Sequence, residues 1–232
     1  MKLRVKFNKR NYLKYISHLD LMRLFQRSFN RAEVPIKYSK GFNPQPRFSI
    51  ASPLSLGIES EEEYMDIELL KEIDIEEFKN KMNKVLPEDV QIIDCIYPKD
   101  NDAIAAMISW ALYKIRFETN LDLEIEEVQN RIDNWLNKDE ILISRLRKRG
   151  RKKVMQEENI KSLIGSLEVL GIDNNEFRIE ALLKTGEKGN LRPFDFVDAL
   201  NRDNKLDMIQ DSVFFKRLGL FIERNGDICK PL

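Results

Sequence analysis

Within the first hundred positions the spacing of apolar residues switches from two to the helical period and back, twice, and that order leaves few folds open. Leu3-Arg-Val-Lys-Phe7 alternates apolar and basic residues and predicts a half-buried strand. Ser17 to Asp20 has the spacing of a capping box, with Leu21, Met22, Phe25 and Phe29 following at helical intervals. Pro35 ends that helix, and Ile36 to Tyr38 begins an extended run toward Gly41-Phe-Asn-Pro-Gln-Pro46, resumed at Phe48 to Ile50. Tyr64 to Leu69 alternates again, Asp74 to Leu86 carries Ile75, Phe78, Met82 and Val85 on one side, and Val90 to Tyr97 closes the series. The order βαββαβ predicts an α+β, ferredoxin-like half over residues 1–98.

After an expected linker at residues 99–108, a similar order recurs less regularly over 109–232. Leu112 to Glu118 reads as a strand, and Leu123 to Leu136 as an amphipathic helix built on Ile125, Val128, Ile132 and Trp135. Ile141 to Val154 and Phe177 to Leu183 read as strands, and Pro193 opens a helix to Leu200. Val213 to Arg224 supplies a last strand, and the apolar stretch Ile160 to Leu170 fits neither period. The expectation is two tandem ferredoxin-like halves.

Composition excludes several classes of chemistry. Cys95 and Cys229 are the only cysteines among 232 residues, too few for a disulfide framework, a CxxC zinc site or a self-contained iron–sulfur cluster. No cofactor or metal is expected. No run of eighteen apolar residues is present, so no membrane helix is expected, and the charged start does not read as a secretory signal. A cytoplasmic protein is the expectation.

The formal net charge is zero, yet the charges are segregated. Residues 1–50 hold twelve Lys or Arg against only Asp20 and Glu33, whereas residues 51–140 hold nine basic and twenty-three acidic residues. Arg23, Arg27 and Arg31 fall at i, i+4 and i+8 and stack on one helix face, where like charges repel by roughly 0.2–0.5 kcal/mol per pair. Either the acidic run Glu59 to Glu63 neutralises this stripe internally or an external anion does. In Arg145-Leu-Arg-Lys-Arg-Gly-Arg-Lys-Lys153, seven of nine residues are basic (Arg145, Arg147, Lys148, Arg149, Arg151, Lys152 and Lys153), and Gly150 permits a tight turn. A hairpin tip so charged suits a phosphate backbone, although a solvated loop would look the same.

Lys40, Phe42 and Arg47 bring an aromatic ring between cations in the proline-stiffened loop, as base stacking with backbone contact requires, while Phe residues beside prolines also commonly enter a core. His18, the sole histidine, is a candidate general acid or base, and equally a plain residue inside the Ser17–Asp20 cap. No second histidine, metal-ligand spacing or nucleophile elbow accompanies it.

Ile16-Ser-His-Leu-Asp20, the arginine-bearing helix, Pro35 with Tyr38-Ser-Lys-Gly-Phe-Asn-Pro44, and Leu54-Ser-Leu-Gly-Ile58 with Glu62-Glu-Tyr64 resemble the radical SAM-linked protein family. That bacterial family of unknown function is encoded beside, or fused to, a cobalamin-binding radical SAM enzyme, often near ribonuclease and ribosomal-protein genes. The match is dense over residues 1–70 and later rests on Leu191-Arg-Pro193 and Lys216-Arg217; Gln45 stands where the family more often has His. The resemblance implies a non-catalytic accessory role next to a radical SAM enzyme, and its ribosomal neighbourhood, with the basic segment, points to ribosomal or transfer RNA as the partner. Two alternatives stay open. One is a protein adaptor of that enzyme without nucleic acid. The other is an RNA endonuclease using His18, since tandem ferredoxin-like halves are similar to CRISPR repeat-processing nucleases; their glycine-rich loop is lacking here, where Gly219 and Gly226 stand isolated.

Overall fold

A computed structural model describes residues 1–150, 152–173 and 175–232; the side chains of Arg147, Lys148, Arg149 and Lys152 lie outside the described set. The protein is mixed α+β and forms two compact units, Met1–Ala111 with Lys216–Leu232, and Leu112–Phe215. No helix among the described residues is long and apolar enough to cross a membrane.

In chain order, the first unit holds β1 (Lys2–Lys9), α1 (His18–Arg31), β2 (Phe48–Ile50), β3 (Glu59–Glu68), α2 (Ile75–Val85), β4 (Ile92–Ile96) and the short α3 (Ile104–Met107), with a 3-10 turn at Asn11–Tyr15 before α1. The strands pair antiparallel in the order β4-β1-β3-β2. The helices begin where the sequence supplies caps: Ser17 Oγ accepts the Asp20 N–H at 3.1 Å, and Asp74 Oδ1 accepts the Glu77 N–H at 2.9 Å. Leu3, Val5 and Phe7 of β1 meet Leu21, Phe25 and Phe29 of α1 and Phe78 and Met82 of α2 in one buried cluster. The rings of Phe7 and Phe25 lie edge to face at 4.9 Å, as do Phe29 and Phe48 at 5.1 Å.

The extended run expected from Ile36 forms only isolated bridges, Ile36 to Leu69 and Tyr38 to Pro46, because the prolines withhold ladder donors. The stretch expected as a linker at 99–108 contains α3 and is tied down by β1 and β3. Arg4 and Asp66, directly opposite in the β1–β3 register, pair at 2.9 Å, and the same carboxylate accepts the Ile104 N–H at 2.8 Å. Arg4 also donates to the Asp102 carbonyl at 2.9 Å. The basic face of β1 is therefore partly internal.

The second unit is built on β5 (Ile108–Glu118, from Leu112), α4 (Ile125–Leu136), β6 (Leu142–Arg149), β7 (Lys152–Asn159), β8 (Ile164–Asp173), β9 (Glu176–Lys184) and α5 (Pro193–Asn204). Strands β5, β9 and β8 lie side by side, and β6 pairs only with β7 in a separate two-stranded ribbon. The extended run expected over 141–154, with a hairpin tip at Gly150, is the first arm of this hairpin and the start of its second. The unclassified stretch at 160–170 is a 3-10 turn leading into β8. It escaped the period-two test because β8 alternates only between half-buried and exposed positions, with a bulge between Val169 and Gly171. Val128, Ile132 and Trp135 of α4 are buried, as are Phe196 and Leu200 of α5, and the Trp135 indole N–H donates to Asp203 at 3.0 Å.

The last strands are β10 (Phe214–Arg224) and β11 (Asp227–Cys229). Lys216 and Arg217 run parallel to Glu59 and Ser60 of β3, which returns Lys216–Leu232 to the first unit.

Candidate nucleic-acid interface

The acidic run at the start of β3 does not serve the α1 stripe. Glu59 faces Lys14 at 3.6 Å, Glu61 pairs with Arg10 and Lys216, and Glu62 pairs with Lys230 and, at 4.0 Å, Lys6. Glu63, 2% exposed, receives Arg217, 1% exposed, through Nε at 2.7 Å. Extended backbone makes this possible, since each carboxylate points to strands β1 or β10 or to the 3-10 turn. The internal-neutralisation reading of α1 therefore fails for this run. Arg23 has its own partner, Asp20 at 3.0 Å, whereas exposed Arg27 and Arg31 have no carboxylate within 4.0 Å among the described residues.

The 38–47 loop lies against the same helix. Tyr38 donates its hydroxyl proton to Asn30 Oδ1 at 2.8 Å, and Gln26 Nε2 donates to Gln45 Oε1 at 3.4 Å. The loop is closed on itself: the Ser39 N–H donates to the Gln45 carbonyl at 2.8 Å, and the Gln45 N–H to Ser39 Oγ at 3.0 Å. Phe42 at its tip is fully exposed, so the core reading of that ring does not hold. Lys40 is exposed, and Arg47 pairs with Glu68 at 3.0 Å at the solvent-exposed surface.

The ribbon β6–β7 carries the second basic group. Its register runs from Leu142 opposite Asn159 to Arg149 opposite Lys152, with Gly150 at φ +64° in the turn. That left-handed value suits glycine, which has no Cβ to clash there. Lys153 is exposed; Arg151, and the side chains of Arg147, Lys148, Arg149 and Lys152, lie outside the described residues. Arg145 departs from expectation. Its guanidinium bonds Asp195 of α5 at 2.7 and 2.9 Å, Glu158 at 3.1 Å and the Asn190 carbonyl at 3.3 Å. It anchors the foot of the ribbon to α5 and is not displayed to a ligand.

His18 opens α1 half-buried. Burial pushes its pKa below the ordinary imidazole value, and the neighbouring Lys9 ammonium pushes the same way against Glu63. Lys9 itself is 2% exposed and donates to the Ile16 carbonyl at 3.1 Å and the Lys14 carbonyl at 3.4 Å, which holds the 3-10 turn in place. Its pKa is lowered by burial first, with Glu63 opposing. Sequence reasoning passed over Tyr12 and Tyr15, both well exposed on that turn. Lys14 Nζ lies 5.3 Å from the Tyr15 ring, and the turn borders a depression of about 510 Å³ shared with Asn11, Glu59 and Asp89. The aromatic and basic interleaving of Lys9-Arg-Asn-Tyr-Leu-Lys-Tyr15 was the available signal. Among the described residues no group of three or more His, Cys, Asp or Glu could hold a metal ion.

The fold is α+β, with Arg27, Arg31 and Lys40 exposed in the first unit and Lys153 exposed in the second. The chain belongs to the bacterial family described as "Uncharacterized protein conserved in bacteria (DUF2344)", whose family model matches residues 2–193. None of the curated proteins matches it. Among solved structures it is similar to one chain of a Cbf5–Nop10–Gar1 complex, with TM-score 0.52, 8% identity, and coverage of 93% of this chain and 47% of that one. It is likewise similar to a chain of an H/ACA ribonucleoprotein bound to a substrate RNA containing 2′-deoxyuridine, with TM-score 0.51, 10% identity, and coverage of 97% and 47%. The chain spans about half the length of these neighbours, and at such identities the likeness is one of fold.

Proposed function

We infer that this protein is a non-catalytic accessory protein that binds RNA. The observation that carries the reading is the β6–β7 ribbon: two eight-residue strands that, among the described residues, pair with each other alone, are clamped at the foot by Arg145, and belong to a segment whose sequence to Lys153 holds six further Lys or Arg. At about 3.4 Å per residue the ribbon is roughly 27 Å long, enough to span several phosphates. The similarity of fold to a chain from an RNA-bound ribonucleoprotein supports the same reading. Ribosomal or transfer RNA as the species, and a radical SAM enzyme as the partner that receives it, rest on the family resemblance alone.

The test is salt-dependent binding of single-stranded RNA by the full chain and by the variant Arg147→Gln/Arg149→Gln/Arg151→Gln/Lys152→Gln. Four phosphate contacts give a log–log slope of roughly −3 on single strands. The variant is expected to bind more weakly and to flatten the slope by about that amount; unchanged affinity overturns the reading.

One observation favours a protein adaptor instead. Leu146 and Met155 sit opposite each other on one face of the ribbon with Leu142, and all three are exposed. Under that reading Leu146→Ser/Met155→Ser abolishes capture of the partner enzyme and leaves RNA affinity alone.

A further inference from the structure

We propose that α1 and the 38–47 loop form a site of their own that holds an unpaired stretch of RNA, with one base stacked on Phe42. The proposal rests on the RNA reading above and adds the state of the nucleic acid that this surface selects. Three observations carry it. First, Arg27, Arg31 and Lys40 are exposed cations with no carboxylate within 4.0 Å among the described residues, although the first unit holds many acids. The acids of the Glu59–Glu63 run pair with Lys14, Arg10, Lys216, Lys230 and Arg217, so they do not neutralise these cations. The pairs Arg23–Asp20 and Arg47–Glu68 are solvent-exposed, and such pairs exchange readily for a phosphate contact.

Second, the Phe42 ring is fully exposed on a loop that is not loose. Pro44 and Pro46 fix the backbone, the Ser39–Gln45 hydrogen bonds and the Tyr38–Pro46 bridge close the loop, and the Arg47 N–H donates to the Lys37 carbonyl at 2.7 Å. An aromatic held this way loses little freedom when a base stacks on it. Third, Tyr38 and Gln45 bond Asn30 and Gln26, so the loop that carries Phe42 is tied to the helix that carries the arginine stripe. A duplex keeps its bases stacked on each other, and an exposed ring on a loop tied to a cationic helix meets a base face only where the strand is unpaired.

The experiment measures binding of two probes, an RNA of about twelve nucleotides and its duplex form, to the full chain and to Phe42→Ala, Phe42→Trp and Arg27→Gln/Arg31→Gln. Phe42→Ala is expected to weaken the single strand about tenfold and the duplex less than about twofold, with Phe42→Trp retaining affinity. Arg27→Gln/Arg31→Gln is expected to reduce the single-strand salt slope by about 1.4. Phe42 packs against nothing that folding needs, so an unchanged thermal transition confirms that the variants are intact. Equal single-strand affinity in Phe42→Ala overturns the proposal, and if the ribbon variant still loses affinity the RNA reading survives it. Absence of binding of either probe to the unaltered chain overturns both. Loss of a co-purifying protein from Phe42→Ala with RNA affinity intact overturns the proposal in favour of protein docking.

Discussion

Replacing Arg217 by Met should destabilise the protein far more than its single-residue scale suggests, and replacing its partner as well should restore most of the loss. Arg217 and Glu63 are 1% and 2% exposed at the side chain, joined through Nε at 2.7 Å, and Arg217 also donates to the Ser52 carbonyl at 2.9 Å. Arg217→Met strands a carboxylate out of water, and breaking a buried pair in this way costs about 3–5 kcal/mol. For a chain of this size that lowers Tm by on the order of 10 °C. Glu63→Leu strands the guanidinium and should cost a similar amount. The double variant removes both charges, and exchange of a buried pair for apolar groups is near neutral, so it should fall within about 1–2 kcal/mol of the unaltered chain. Chemical denaturation of all four proteins closes the cycle, with an expected coupling of at least about 3 kcal/mol. Two single variants that each lose less than about 1 kcal/mol would show that the pair is solvated and that the burial argument is mistaken.

Other expected outcomes follow from the same geometry. His18, the only histidine, gives one imidazole signal in a proton NMR titration, with a midpoint below 6.5; a midpoint at or above 6.5 contradicts the effect of burial and Lys9. A folded-state pKa below the unfolded one means the unfolded chain takes up the proton first. Stability should therefore fall as pH drops from about 6.5 through the folded pKa, and His18→Gln should flatten that slope. Cys95 is buried, with its thiol pushed up to about 12 by burial and by Asp94, whereas Cys229 is half-buried. A thiol reagent at pH 8 should therefore label one cysteine in the native protein and two in urea. Asp195→Ala removes the carboxylate that holds Arg145 and Arg192, and hydrogen exchange should accelerate along residues 142–159 while α1 keeps its protection.

Local physics made the elements of the first unit readable from sequence. The Ser17 and Asp74 caps, the apolar spacing of Phe25, Phe29, Phe78 and Met82, and the alternation of β1 each reflect a constraint that acts within a few residues. What could not be read acts across long separations. The acidic run at β3 is neutralised by residues from β1, the turn before α1 and the C-terminal strands, and nothing local tells Glu63 that its partner is Arg217. Arg145 illustrates the same limit within the second unit. In sequence it belongs to a basic cluster, and only folding reveals that Asp195 takes it out of that cluster. β8 was missed for a different reason: neither of its faces is buried deeply enough to leave an apolar stripe.

Because Lys216–Leu232 belongs with Met1–Ala111, the ribosome releases one compact unit in two instalments. At roughly 5–20 residues per second, residues 112–215 take roughly 5–20 s to emerge. Throughout that interval the nascent chain carries a Glu63 carboxylate whose guanidinium has not yet been synthesised. Water must solvate it until then, so the edge of β3 stays open while the intervening unit is made, and closure of the first unit becomes a late event in biogenesis.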